Sequence, residues 1–159
     1  MRRGLALLLA AAGATLAGCA APTPPTVTFY AAGTSVVTGP AQHCDVQVEN
    51  CSADPDAHAV LRVPPGSPLQ ISVDAHVGET PWQVVFRYRD AAGTPIEGRS
   101  AVFYGENKRL AYTLRLPTNA AQLETVEIQQ FGGVLAARED GGVDFVTRGT
   151  WVLSVDDRR

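Results

Sequence analysis

The chain has 159 residues, 13 of them basic and 16 acidic, for a net charge of −3 at neutral pH. That length supports one domain with a real core. The mildly acidic balance disfavours nucleic acid as a partner, and electrostatic docking onto anionic lipid as well.

The first element is an export signal. Arg2 and Arg3 precede Leu5 to Leu16, an apolar run of Leu, Ala and Gly broken only by Thr15. A charged start, a short apolar stretch and a small-residue cleavage site make up a secretory signal. The run is shorter than the ~20 residues of an ordinary spanning helix. Its end, Leu16-Ala17-Gly18-Cys19, resembles the lipobox of bacterial lipoproteins. That resemblance implies a diacylglyceryl group on the Cys19 thiol, cleavage between Gly18 and Cys19, and anchoring on the outer face of the cytoplasmic membrane. An ordinary secretory signal with an incidental cysteine is the alternative. Two acyl chains hold a protein stably on a bilayer, where one does so only marginally. Removing residues 1–18 leaves 141 residues, and without Arg2 and Arg3 there are 11 basic residues against 16 acidic, a net charge of −5.

With Cys19 taken by lipid, Cys44 and Cys51 are an even pair in an exported chain, which reads as a disulfide. Two thiols held for a metal are the other reading. Residues 19–26 form a Pro-rich tether, stiff and short, and residues 27–159 the folded domain.

From Val27 the pattern is β. Val27, Phe29 and Ala31 alternate with polar positions, Gly33 punctuates, and Thr34 to Thr38 is a second run. His43 to Glu49 alternates too, but a single strand from Cys44 to Cys51 would part the cysteines by ~23 Å, and a disulfide needs Cα atoms ~5.5 Å apart. The bridge is kept, so the chain is expected to reverse between them. Ser52 to Asp56 and Pro64-Pro65-Gly66 read as turns around an Ala59–Val63 strand. Leu69, Ile71 and Val73 mark the next strand. Trp82, Val84, Phe86 and Tyr88 share one face of a longer one that Ala91 to Pro95 closes. Ser100 to Tyr104 is expected to be a short strand and Leu110 to Leu116 another. Glu124 to Phe131 turns Val126 and Ile128 inward. Val134 to Asp140 is expected to form one helical turn or a mobile tip. Asp144 to Val155 is the last strand, with Phe145, Trp151, Leu153 and Val155 inward.

Without a 3.6-residue period anywhere, short strands between Gly/Pro turns predict an all-β, antiparallel sandwich of about seven to nine strands. The strand order from Leu69, with Trp82 in a central strand, resembles an immunoglobulin-like sandwich that lacks its inter-sheet cysteine pair. Architecture of this kind carries no function.

Candidates for chemistry are few. The phosphate-loop, zinc-protease and serine-hydrolase signatures are absent, and no free thiol remains, so no catalytic residues and no cofactor are expected. His43 and His58, with Asp45 or Asp56, are the least poor metal set. Asp45, Glu49, Asp54 and Asp56, or Asp140-Gly141-Gly142-Val143-Asp144, could offer oxygens to calcium, though Asp and Gly are also ordinary turn residues. No metal site is assigned. Arg87, Arg89 and Arg115 are expected on one outer sheet face with Gln83 and Thr113, and the aromatics Trp82, Phe86, Tyr88, Tyr112, Phe145 and Trp151 in the core.

Cys44 to Val48, Thr80 to Phe86, Leu123 to Gln130 and Gly149 to Asp157, together with the lipobox, resemble blocks of a family of uncharacterised actinomycete lipoproteins, a domain of unknown function. The resemblance implies an exported lipoprotein with no assigned activity. The expected role is a non-catalytic binding or assembly module, held to the membrane through Cys19 and meeting an envelope protein or polymer. A carrier of a small ligand or metal, using the loops around Cys44 and Cys51, is the alternative.

Overall fold

The computed structural model describes residues 23–104, 106 and 109–156. Cys19 and the expected signal segment, residues 1–18, therefore lie outside the described residues. Eleven strands and one helical turn follow in order: β1 Val27–Ala31, β2 Thr34–Thr38, β3 Gln42–His43, β4 Ser52–Ala53, β5 His58–Leu61, β6 Leu69–Val73, α1 Ala75–Gly78, β7 Trp82–Asp90, β8 Pro95–Arg99, β9 Ala111–Leu114, β10 Ala120–Ala137 and β11 Val143–Val155. They form two sheets, a four-stranded one ordered β2-β1-β6-β9 and a seven-stranded one ordered β4-β3-β11-β10-β7-β8, with β5 added to β11. The fold is the expected all-β sandwich. The two strands of only two residues, β3 and β4, bring the count above nine, since so short a run leaves no alternation to read.

Alternation builds the core. On the first sheet Val27, Phe29, Leu69, Ile71 and Leu114 point inward, and on the second Val84, Val126, Ile128, Trp151 and Leu153 meet them; all are nearly inaccessible. Face-to-face packing of this kind gives a core ~10 Å thick. The β1–β2 hairpin turns on Ala32 and Gly33, both at positive φ (48° and 86°), the geometry of a two-residue turn matched to strand twist.

Several expectations change. β5 runs parallel to β11, through Val152–His58 to Val155–Leu61, while the lower part of β11 pairs antiparallel with β3 at Gly149–His43. The short strand after β7 is Pro95–Arg99, not Ser100–Tyr104. Phe103 makes only an isolated bridge to Trp82. A one-turn helix, α1, was not expected. Asp74 caps it by accepting from the His76 N–H at 2.9 Å, and four residues are too few to show a helical period.

Residues 134–140 are neither helix nor loose tip. β10 and β11 continue past the body of the sandwich as a ribbon pairing Leu135 with Phe145 and Ala137 with Val143, and the Arg138–Gly142 turn closes it. Register shifts between Gln130 and Leu135 swing this ribbon away from the core. Phe145 is consequently 39% exposed and not a core residue.

Candidate functional site

The Cys44–Cys51 bridge is present, with Cα atoms 4.0 Å apart, and the chain does reverse between the cysteines. Asp45 drives the reversal. Its carboxylate accepts from the Glu49 N–H at 2.9 Å, the Asn50 N–H at 3.3 Å and the Asn50 side-chain amide at 2.6 Å. The Glu49 backbone bond and then the Asn50 amide hold the Asp45 carboxyl below its ordinary titration range. Val48 takes a left-handed conformation (φ 61°) inside the loop.

This loop, the tether and the end of α1 enclose a cavity of about 490 Å³, lined by Thr23–Pro25, His43, Val46, His76, Glu79, Thr80, Gln130 and Arg148. Its size falls within the ~300–1,000 Å³ of small-molecule sites. Two bonds pin the tether here. The Trp151 indole donates to the Pro25 carbonyl at 2.9 Å, and the Asp74 N–H to the Thr26 carbonyl at 3.0 Å. His43 lies edge-on to Trp151, with ring centroids 6.5 Å apart.

Gln130 is the pivot of the site. It follows Val126 and Ile128 on the inward face of β10 and is 1% exposed. Its amide donates to the His76 carbonyl at 2.8 Å and to the Thr80 hydroxyl at 2.9 Å, satisfying the end of α1, where carbonyls lack helical partners. Gln129 points outward instead. It accepts from the Gln83 amide and donates to Glu127, each at 2.8 Å. The Gln129-Gln130 pair thus serves the two faces of one strand, a role visible only once β7 and α1 are in place.

Among the described residues, two buried polar atoms of cavity-lining side chains have no hydrogen-bond partner, Gln130 Oε1 and Arg148 Nε. Arg148 has no carboxylate within ion-pair range among the described residues. Burial, and then the Arg148 charge, push the His43 titration below the ordinary value of 6.5. Around neutral pH the site therefore holds one unpaired guanidinium beside a neutral imidazole. His76 faces Glu79 at 3.4 Å. At the opposite end of the sandwich, two recesses of about 340 and 300 Å³ flank Val63–Pro65, but the orphaned polar atoms lie at the tether end.

The other sequence candidates find different employment. His58 turns its Nδ1 to the Pro55 carbonyl at 3.2 Å, while His43 faces Trp151 and the cavity, so the structure brings His43 together with His76 and not with His58. Among the described residues no three of His, Cys, Asp and Glu form a metal-holding group. The acidic clusters make turns, as Asp54 accepts from Asp56 N–H at 3.0 Å and Asp140 from Gly142 N–H at 3.0 Å. The five-residue Arg face does not exist. Gln83, Arg87 and Arg89 lie on β7, in the seven-stranded sheet, while Thr113 belongs to β9, in the four-stranded one, and Arg115 follows it. Glu124 bridges Arg87 and Arg89, at 3.0 Å and 2.6 Å.

A family described as a protein of unknown function (DUF2771) matches residues 20–156. The chain belongs to that family. Similar proteins include uncharacterized protein Mb0899c of Mycobacterium bovis and uncharacterized proteins MT0898 and Rv0875c of Mycobacterium tuberculosis. Each is 29% identical over 152 residues, covering 83% of this chain and 90% of the relative. No solved structure matches the chain. The matched span of the family includes every residue that lines the cavity. Among the described residues no helix is long and apolar enough to cross a membrane.

Proposed function

We propose that the protein is a lipid-anchored, non-catalytic binding module of the bacterial envelope, held at Cys19 on the outer face of the cytoplasmic membrane. The lipobox sequence supports the anchor. We place the binding site in the cavity between tether and disulfide loop, which makes a small-ligand carrier the form of binding best supported. The immunoglobulin-like kinship is proposed on strand order alone.

The observation that carries the reading is Arg148. A half-buried guanidinium without a carboxylate partner is costly, and an anionic ligand in the cavity would relieve that cost through charge-assisted hydrogen bonds. Gln130, whose Oε1 is also without a partner among the described residues, lines the same cavity. The ligand class is therefore a small molecule bearing a carboxylate or phosphate, with an apolar portion against Pro24, Pro25 and Val46. Calorimetric titration with octanoate and with inorganic phosphate tests this on the wild type and Arg148→Gln. The expected result is saturable one-site binding of at least one probe, lost in the variant. Absence of binding to both, or equal binding by the variant, overturns the anionic site.

A further inference from the structure

The ribbon at the far ends of β10 and β11 leaves one face uncovered. Cross-strand partners and residues two apart share a face. Leu135, Ala137, Val143 and Phe145 therefore make one apolar side, and Ala136 and Asp144 lie on the other. Phe131 lies under Phe145 with centroids 5.5 Å apart, and Tyr104 meets Phe145 edge-on at 6.5 Å. Of the ten large apolar side chains exposed among the described residues, six sit on this ribbon or against its base: Val46, Tyr104, Val134, Leu135, Val143 and Phe145. The opposite end of the sandwich is made of the Asp90–Thr94 and Pro117–Ala120 turns. Such clustering of apolar surface at one end marks an interaction surface.

The tether identifies what covers it. Pro25 and Thr26 are fixed at the same end of the sandwich from which the ribbon projects, near the Gln130–Gly149 rung. Six residue steps lead from Cys19 to Pro25, a reach of about 20 Å when extended. The seven steps from Gln130 to Ala137 carry the ribbon about 20 Å past that rung at the rise of a strand. Ribbon and tether thus leave the same end of the sandwich with similar reach. A bilayer holding the acyl chains of Cys19 is therefore within reach of the ribbon.

We propose that the apolar face of the β10–β11 ribbon is a second membrane contact, lying in the headgroup–acyl boundary of the membrane that holds Cys19. This rests on the lipid anchor proposed above. The turn of the ribbon is charged, with Arg138 paired to Asp140 at 2.9 Å and to Asp144 at 3.6 Å. Charges resist transfer into hydrocarbon, so the ribbon lies along the interface on its apolar side and does not enter tip first. The contact is apolar, as for interfacial segments generally, and is insensitive to salt. It also fixes the tilt of the domain and turns the mouth of the cavity toward the headgroups.

The test places an environment-sensitive fluorophore at Leu135→Cys, at Val143→Cys and, on the opposite end, at Thr118→Cys, each in the full protein as isolated. The proteins are reconstituted with phosphatidylcholine vesicles, with and without brominated acyl chains as quencher. Acylation of Cys19 is read by mass spectrometry on the same samples. Both ribbon labels are expected to lose most of their emission to brominated lipid, and the Thr118 label almost none. Unquenched ribbon labels on acylated protein overturn the membrane contact and leave the anchor standing. Quenched ribbon labels on unacylated protein uphold the contact and remove the anchor. A blue shift at the ribbon without lipid quenching assigns the face to another copy or another protein and overturns the proposal. Thermal melts of each labelled variant confirm that the sandwich is intact.

Discussion

His43 is subject to two effects that act in the same direction. Partial burial removes water from the imidazolium, and the Arg148 guanidinium repels it, so the proton is held less tightly in the folded chain than in the unfolded one. The unfolded chain then binds more protons below the ordinary histidine value, and stability falls as the pH falls. The contribution of His43 is complete above about pH 6.5 and is lost as the pH drops through the lower folded value. Thermal melts between pH 7.5 and pH 5 should show a decline in Tm that is shallower in His43→Gln, whose amide does not titrate. A decline of the same slope in both proteins would assign the loss to other groups. This residue stood out in the sequence as one of three histidines, but its neighbours did not. Arg148 is 105 positions away, and only the β3–β11 pairing sets the two side by side. Gln130 was equally hidden. A glutamine on the inward face of a strand signals a buried amide, yet its partners, the His76 carbonyl and the Thr80 hydroxyl, belong to a helical turn too short to read.

At the scale of elements, local pattern was legible wherever a strand is half buried and regular. β1 and β6 alternate cleanly because each packs one face on the core. The pattern failed where geometry departs from that rule. β10 runs on beyond Phe131 as a ribbon with no core beneath it, so its residues follow cross-strand pairing and not burial, and Val134 to Asp140 reads in sequence as a helical turn or a mobile tip. The disulfide loop is the opposite case, where two conflicting signals were resolved by chain reach alone. Its energetic share is small. A bridge closing eight residues should contribute about 2.5 kcal/mol by the loop-entropy account. Cys44→Ala/Cys51→Ala should therefore remain folded, with a denaturation free energy lower by about that amount and an unchanged m-value. The cavity should suffer more than the fold, because Val46 and His43 are positioned by the loop. Loss of cooperative unfolding in the double variant would show the bridge to be a main staple of the sandwich.

At the scale of the whole molecule, the features on which the proposed attachment rests lie at one end. Tether, cavity, disulfide loop and apolar ribbon converge there, brought together by Trp151, whose indole holds Pro25, and by the β10–β11 hairpin, which carries the chain past its own core. None of this convergence is legible in sequence, since it joins residues from both ends of the chain, 126 positions apart at the Trp151–Pro25 bond. It makes a prediction about how the protein stays where it is. Full burial of one large apolar side chain is worth about 1.5–3 kcal/mol, and the ribbon has only Leu135, Val143 and Phe145 to offer, each partly exposed already. A contact of that size, less the cost of ordering it, compares with one acyl chain, which anchors only marginally. On the proposed reading, a diacylated Cys19 therefore supplies most of the hold. Cys19→Ser leaves residues 1–18 unchanged and removes the thiol that would accept the proposed lipid, so the variant should shift from the membrane pellet to the soluble fraction. A small remainder should resist high salt and disappear when Leu135 and Val143 are also replaced by Ser. If Cys19→Ser pellets with membranes as fully as the wild type, lipid on Cys19 is not the anchor.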